Sequence, residues 1–228
     1  MPSITHCFTL PRICLICKLK YKKRTPICPE CEKKIPSLPT LCFFCSEPTL
    51  DASSQLCLQC QYQASNIRRI FVFYEYAEPL RTLITDFKFH HHYSLLNYLS
   101  ELFLSQLPED AKQTECLIPI PLHRKKHAKR GYHQTYLLAK SLGKRLSIPV
   151  SLKYCKKIIE TASQSQLNRQ DRQHNLKNAF KFSKPNFEKI TLIDDIITTG
   201  ATIQTIAQGF QELGVEHIDV WCLAKSIK

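Results

Sequence analysis

The chain has 228 residues, of which 32 are Lys or Arg, 19 are Asp or Glu, and 43% are hydrophobic. This composition excludes disorder for most of the chain and suffices for one domain of about 150 residues plus a smaller module. The formal charge of +13 favours anionic partners.

The amino-terminal segment shows no signal for secretion. Residues 1–18 contain Pro2, Pro11 and Arg12 but no apolar run of signal-peptide length. The most apolar window, residues 93–107, is interrupted by polar residues and falls short of the roughly 20 residues needed to span a bilayer. The sequence therefore predicts a cytoplasmic protein without a transmembrane segment, with an amphipathic helix at 93–107.

Eight of the 12 cysteines form four C-x-x-C pairs within the first 60 residues. Cytosolic thiols stay reduced, so these pairs do not indicate disulfides. Two C-x-x-C turns can converge on one tetrahedral ion, and the four pairs predict two structural zinc sites, although the spacing leaves the pairing open. The alternative, a redox-active dithiol, would show a single pair beside a βαβ unit. The predicted zinc ligands are Cys14, Cys17, Cys28, Cys31, Cys42, Cys45, Cys57 and Cys60.

The pattern changes to alternating strands and helices at about residue 66. Alternating elements of this kind predict an α/β fold, with a parallel sheet covered by helices on both faces and ligands at the carboxyl ends of its strands. The predicted organisation is a zinc module at 1–65 and an α/β domain at 66–228. Strands are expected at 70–76, 116–120, 190–193 and 217–223, and helices at 79–88, 93–107, 134–146 and beyond residue 202, with a polar loop before residue 134.

The segment KITLIDDIITTGAT, residues 189–202, has the composition of a phosphate site. Gly200 allows a tight turn, and the amides at a helix N-terminus bind anions. Asp194 and Asp195 would repel a phosphate, so we expect them to face sugar hydroxyls and a hard cation, which predicts a ribose 5-phosphate ligand. The alternative is that the acidic pair only caps a helix, although caps normally need one acidic residue.

The same segment resembles the phosphoribosyl pyrophosphate (PRPP) motif of type I phosphoribosyltransferases. The resemblance implies that Asp194 and Asp195 hold the ribose hydroxyls, with Mg²⁺ accompanying the pyrophosphate, and they are the candidate catalytic residues of any transfer reaction. The loop that follows is implied to hold the 5′-phosphate through Thr198, Thr199, Gly200, Ala201 and Thr202.

A run of basic residues follows the strand at 116–120. Residues 117–134 contain five Lys or Arg and no acidic residue. Such a run is usually a solvated face, but this one begins at a strand end and closes at Arg130 and Gly131, which favours a pyrophosphate loop. Residues 163–173 are polar and predict a mobile lid over PRPP, in which Arg169 and Arg172 would meet phosphates; the alternative for Arg172 is pairing with neighbours of Asp171 in a helix.

Together with the four cysteine pairs, these motifs give the whole chain a resemblance to the ComF-type competence proteins, which join a double zinc ribbon to a phosphoribosyltransferase-like domain. Further shared motifs are P-L-R at 79–81, K-F at 88–89, R-G-Y-x-Q at 130–134, Q-x-x-L at 164–167 and R-x-x-N-L-x-x-A-F at 172–180. His133 departs from the Asn usual in that family, and the three histidines at 90–92 replace a short polar turn. These three histidines form either a surface turn or a metal cluster.

The resemblance implies that Lys88 and Arg130 contact PRPP and that the protein acts in DNA uptake during natural transformation; peripheral association with the DNA-uptake machinery at the inner membrane stays open. The alternative for Lys88 is a helix-end lysine that complements the dipole. Three functions stay open: phosphoribosyl transfer to an unidentified acceptor, non-catalytic PRPP sensing, and handling of single-stranded DNA. Eight thiolates and two Zn²⁺ ions lower the formal charge from +13 to +9, which still favours DNA. Basic clusters at 123–145 and 153–189 and the aromatic residues Phe43, Phe44, Tyr62 and Tyr132 are the predicted contacts.

Overall fold

The computed structural model describes residues 11–38, 40–42, 45–49, 56–62, 66–89, 92–159 and 178–227. The predicted lid at 163–173 lies outside the described residues, and so do His90, His91, Phe43 and Phe44, and the side chain of Tyr62.

The amino-terminal module consists of short elements. Strands β1 (Arg12–Ile13) and β2 (Lys20–Tyr21) form an antiparallel pair, and helices α1 (Pro29–Glu32) and α2 (Leu58–Tyr62) follow. Elements of two to five residues cannot bury a core of their own, so the cysteine positions dictate the fold of this module.

The remaining described elements alternate between strand and helix. A single 3₁₀ turn, Glu109–Lys112, precedes the second strand of this region. In chain order the elements are β3 (Arg69–Glu75), α3 (Leu80–Phe89), α4 (Leu95–Gln106), β4 (Cys116–Pro119), α5 (Arg124–Arg130), α6 (Gln134–Leu146), β5 (Cys155–Lys157), β6 (Phe180–Phe182), β7 (Lys189–Ile197), α7 (Ala201–Glu212) and β8 (His217–Lys225).

Four of the strands form the central sheet in the order β3-β8-β7-β4, and all neighbouring pairs are parallel. The two faces carry separate apolar clusters. On β8, Trp221 and Leu223 face the cluster that includes α3, α4 and α6, whereas Val220 and Cys222 face the cluster that includes α7 and the hairpin β5–β6. The predicted parallel α/β sheet with helices on both faces is therefore confirmed.

Two local features differ from the expectation. The polar loop predicted before residue 134 contains helix α5, which is capped by the His123 side chain and ends at Gly131 with φ 75°. The hairpin β5–β6 was not predicted, because its strands have only three residues each and lie more than 20 residues apart. Neither short element carries enough periodicity to be recognised in a sequence.

The amino-terminal module packs on the exposed edge of the sheet. Ser37 pairs with Tyr74 of β3 in an antiparallel bridge. The backbone N–H of Leu38 donates to the carbonyl of Phe73 at 3.2 Å, and the N–H of Glu75 donates to the carbonyl of Pro36 at 3.0 Å. These bonds satisfy the edge strand β3, which would otherwise be open to pairing with another chain. The boundary near residue 65 stays a prediction.

In the part of the chain that the structure describes, no helix combines the length and the apolar character that crossing a membrane requires.

Candidate functional site

The eight cysteines predicted to bind zinc form two groups, and within each group the sulfur atoms lie within 4.8 Å of one another. Four thiolates at this spacing suit a tetrahedral zinc ion with Zn–S bonds of about 2.3 Å. Consecutive C-x-x-C pairs share a site, which resolves the pairing that the spacing left open, and the two groups can hold two zinc ions. The first cluster consists of Cys14, Cys17, Cys28 and Cys31, and the second cluster consists of Cys42, Cys45, Cys57 and Cys60.

Backbone amides prepare the first cluster for a metal ion. The N–H of Cys28 donates to Sγ of Cys14 at 3.4 Å. Burial opposes ionisation of Cys14, but hydrogen bonds from the backbone N–H groups of Cys28, Cys17 and Ile16 outweigh it and lower the pKa of this thiol. By contrast, burial raises the pKa of Cys31. Zinc binding must therefore displace protons, so we expect zinc affinity to rise with pH.

Lys225 connects the second cluster to the sheet. Its side chain, at the end of β8, is 2% exposed. Its Nζ donates to the carbonyl of Cys45 and to Oε1 of Glu47, both at 3.4 Å. A buried ammonium needs compensating charge, and zinc with four thiolates has a net negative charge. Sequence analysis missed this residue; the available signal was a lysine ending the apolar strand HIDVWCLAK.

Replacing Lys225 tests this connection. Lys225→Met keeps the apolar stem but removes the charge, and outer partners of this kind typically change metal affinity about 10- to 100-fold. We expect one of the two zinc ions to be released at a chelator concentration about 10- to 100-fold lower than the wild type requires. The other ion should be released at the same chelator concentration as in the wild type. Lys33→Met, at an exposed lysine paired with Glu30, is the control. Unchanged release of both ions would contradict the charge-compensating role.

The predicted ribose carboxylates lie where β7 extends past the end of β4. β4 ends at Pro119, opposite Ile193, and the N–H of Ile120 donates to the carbonyl of Ile193 at 2.9 Å. β7 continues, with Asp194 and Asp195 as its next two residues. Ligands of open parallel sheets bind at such crevices outside the carboxyl ends of strands.

An ion pair holds this acidic pair in place. Nζ of Lys88 lies 3.0 Å from Oδ1 of Asp195, and the two side chains are 14% and 7% exposed. The N–H of Asp195 donates to Oδ1 of Asp194 at 2.9 Å. Among the described residues, Oδ2 of Asp195 is buried without a hydrogen-bond partner. A buried carboxylate oxygen left unpaired is costly, so this atom suits a ligand hydroxyl or a hydrated cation.

The pKa values of Asp194 and Lys88 depend on each other and on the neighbouring carboxylate of Asp195. Burial and the neighbouring carboxylate of Asp195 raise the pKa of Asp194, while Lys88 partly offsets this rise. Burial acts to lower the pKa of Lys88, but the carboxylates of Asp195 and Asp194 outweigh burial and raise it. The lysine therefore stays charged, and a second cation beside Asp194 would favour ionisation of that carboxyl.

The loop after β7 has the geometry of an anion site. Gly200 is the N-cap of α7 with φ 70°, and a Cβ at this position would meet no atom within 4 Å. Glycine is therefore favoured by the left-handed conformation rather than by lack of space. Thr198 and Thr199 are exposed before it, and Ala201 and Thr202 begin the helix. The first N–H groups of a helix lack intrahelical partners and attract anions.

Arg130 lies on the same edge of the sheet. It ends α5, and its guanidinium carbon lies 4.8 Å from the centroid of the Phe89 ring, a cation–π geometry. Phe89 directly follows Lys88, so Arg130 packs against the residue next to the lysine that pairs with Asp195. Whether Lys88 and Arg130 contact a pyrophosphate stays a prediction.

His133 fixes the segment between β4 and α6. Its Nε2 lies 3.2 Å from the backbone N of Leu122, and its Nδ1 lies 3.1 Å from that of Tyr136, at the start of α6. Both neighbours are N–H donors, so a neutral ring can accept from one of them at its unprotonated nitrogen, whereas a protonated ring could accept from neither. Consistent with this geometry, burial is the main cause that lowers the pKa of His133 to about 4. The imidazole is therefore neutral at physiological pH and caps the helix.

Fold and site together define a parallel-sheet α/β protein with two Cys₄ groups that can hold metal ions and a candidate anion site beside an acidic pair. No protein-family model matches the chain. Over 210 residues it is 36% identical to competence protein F of Haemophilus influenzae, an alignment that covers 88% of this chain and 90% of that protein. The chain therefore belongs to the competence protein F family, and the resemblance to ComF-type proteins is confirmed.

Other relatives extend over similar lengths. DNA utilization protein YhgH of Escherichia coli is 29% identical over 226 residues, or 96% of this chain and 99% of that protein. Competence protein ComFC of Bacillus subtilis is 24% identical over 225 residues, or 89% of this chain and 90% of that protein. A purine phosphoribosyltransferase structure from Pyrococcus horikoshii aligns with a TM-score of 0.33 and 16% identity, over 57% of this chain and 69% of that one.

Proposed function

We propose that the chain binds PRPP with Mg²⁺ at the carboxyl edge of the sheet and acts in the cytoplasm in DNA uptake during natural transformation, in contact with single-stranded DNA. The observation that carries the PRPP assignment is the buried, unpaired Oδ2 of Asp195, beside Asp194 and ahead of the glycine-capped N-terminus of α7. Carboxylate oxygens that can accept hydrogen bonds from sugar hydroxyls lie at the end of the strand. Backbone N–H groups that can donate to a phosphate follow in the next loop.

In this proposal each group has one task. Asp194 and Asp195 accept hydrogen bonds from the ribose hydroxyls, while Lys88 holds the carboxylate of Asp195 in position. The loop of residues 198–202 donates backbone N–H groups to the 5′-phosphate. Mg²⁺, when bound with PRPP, neutralises the pyrophosphate, which is the leaving group in phosphoribosyl transfer.

A thermal-stability titration of the zinc-loaded chain tests PRPP binding. PRPP at about 100 times its Kd stabilises a protein by about 2.7 kcal/mol. We expect this stabilisation with Mg²⁺ and a smaller one with ribose 5-phosphate or pyrophosphate alone, because each fills part of the site. No stabilisation by millimolar PRPP would contradict the proposal. Pyrophosphate release on addition of candidate acceptors then separates a transferase from a PRPP sensor.

Contact with DNA is supported by the relatives' names, which refer to competence and DNA utilization. It is also supported by charge. Residues 124–126 of α5 are Arg, Lys and Lys, all exposed, and no acidic residue occurs between 117 and 134. A basic surface of this kind binds a phosphate backbone without reading its sequence.

Salt dependence tests the DNA contact. Log affinity for a labelled oligothymidine should fall linearly with log salt, with a slope of roughly −0.7 per phosphate neutralised. Lys125→Ala with Lys126→Ala should make this slope shallower, whereas Lys33→Ala, in the amino-terminal module, should not. If α5 serves both ligands, saturating PRPP will displace the strand. No binding at low salt would remove DNA from the proposed function.

A further inference from the structure

Two exposed aromatic side chains lie beside the candidate PRPP site. Phe89 is 54% exposed and Tyr93 is 51% exposed; among the described residues with large exposed apolar side chains, these are the two aromatic ones. Phe89 follows Lys88, whose ammonium reaches Asp195, and Tyr93 precedes α4. Both rings therefore belong to the carboxyl edge of the sheet.

Neighbouring side chains pack against these two rings. The ring of Tyr93 packs on that of Tyr132 with centroids 5.0 Å apart, and Tyr132 packs on Phe87 at 6.0 Å. The guanidinium of Arg130 covers Phe89 at 4.8 Å. Tyr132 is 8% exposed and Phe87 is 1% exposed, so the expectation that Tyr132 itself stacks on DNA is wrong: it serves as a support. Fixed rings lose little entropy when a planar group stacks on them.

We propose that Phe89 and Tyr93, with the guanidinium of Arg130, form a stacking patch for the unpaired bases of single-stranded DNA, and that exposed basic residues of α5 hold the neighbouring phosphates. This inference rests on the proposed function and locates its DNA surface. Stacking rings beside a basic element are the combination that binds single strands without sequence preference. Paired bases are already stacked on each other, so the patch selects single strands over duplexes.

The test compares two probes of equal length, a labelled 20-nucleotide oligothymidine and an abasic phosphodiester chain. Stacking on an aromatic side chain contributes enough per base that we expect the wild type to bind oligothymidine about tenfold or more tightly than the abasic chain. In Phe89→Ala/Tyr93→Ala this difference should disappear, with an unchanged salt slope and unchanged affinity for the abasic chain. The control, Ile158→Ala/Ile159→Ala, removes exposed apolar side chains next to β5, on the opposite face of the sheet, and should behave as the wild type.

The outcomes separate the inference from the function on which it rests. If the wild type binds oligothymidine and Phe89→Ala/Tyr93→Ala binds it equally well, the stacking patch is wrong and the DNA function stands. If the wild type binds neither probe, both are wrong. If the variant loses binding of a free nucleobase but keeps oligothymidine, the patch serves a small planar ligand and the inference is overturned. Retained stabilisation by Mg²⁺ and PRPP shows that the variant is folded.

Discussion

Removal of zinc is expected to unfold both cysteine clusters and to weaken the central sheet. Structural zinc contributes about 10–16 kcal/mol of apparent binding free energy in small modules near neutral pH, which exceeds the stability that short elements can supply. The effect extends to the sheet because residues 36–38 pair with β3 and because Tyr98 of α4 donates to Oε1 of Glu32 at 3.1 Å. Cys14, Cys28 and Cys31 also belong to the apolar cluster under α3 and α4.

The measurement is hydrogen exchange with and without a chelator, combined with metal analysis. We expect about two zinc ions per chain, and faster exchange of the β3 amide of Glu75 once zinc is removed, because its acceptor is Pro36. Cys17→Ser, at an exposed ligand of the first cluster, should reproduce the effect on β3. Cys155→Ala, at a buried cysteine outside both clusters, should keep both ions. Full protection of Glu75 in metal-free protein would show that the edge contact does not depend on zinc.

Hydrophobic patterning along the sequence was sufficient to predict the main architecture. Strand β8 is apolar over most of its length and α7 has apolar residues at helical spacing, so both were predicted to within a few residues. Helix α5 was missed because its sequence RKKHAKR has no apolar face. Its cap residues, His123 and Gly131, were the only local signals for it, and the histidine cap in particular is uncommon.

The site was predicted in part for a related reason. Asp194, Asp195 and the loop after them are contiguous, so a sequence motif reveals them directly. The ion pair of Lys88 with Asp195 and the contact of Lys225 with Cys45 join residues more than 100 positions apart. Tertiary packing alone decides such contacts. The same limit explains why Tyr132 was wrongly predicted to stack on DNA. Hydrophobic periodicity cannot predict whether a residue in the turn between two helices is buried, as this one is.

Neutralising Asp194 is expected to abolish PRPP binding while it stabilises the ligand-free protein. A carboxyl whose pKa is raised on folding disfavours the folded state as pH rises from its unfolded pKa through its folded pKa. Burial and Asp195 raise the pKa of Asp194, so near neutral pH Asp194→Asn removes part of this cost. The expected result is a higher melting temperature without ligand, a stability gain that is lost below pH 4, and no stabilisation by Mg²⁺ and PRPP.

Asp195→Asn should change ligand-free stability in the opposite direction, although it also abolishes PRPP binding. It leaves the ammonium of Lys88, 14% exposed, without its carboxylate at 3.0 Å, and breaking such a partly buried pair is destabilising.

Asp110→Asn is the matched control, because this carboxylate pairs with Arg69 at the amino end of β3, the opposite edge of the sheet. It should keep the full stabilisation of about 2.7 kcal/mol at 100 times the Kd of PRPP. A folded Asp194→Asn/Asp195→Asn variant that PRPP still stabilises as strongly as the wild type would place the ribose site elsewhere. Loss of stabilisation in the three acidic-pair variants, with opposite shifts in the two single ones, would locate the ligand on the coupled carboxylates themselves.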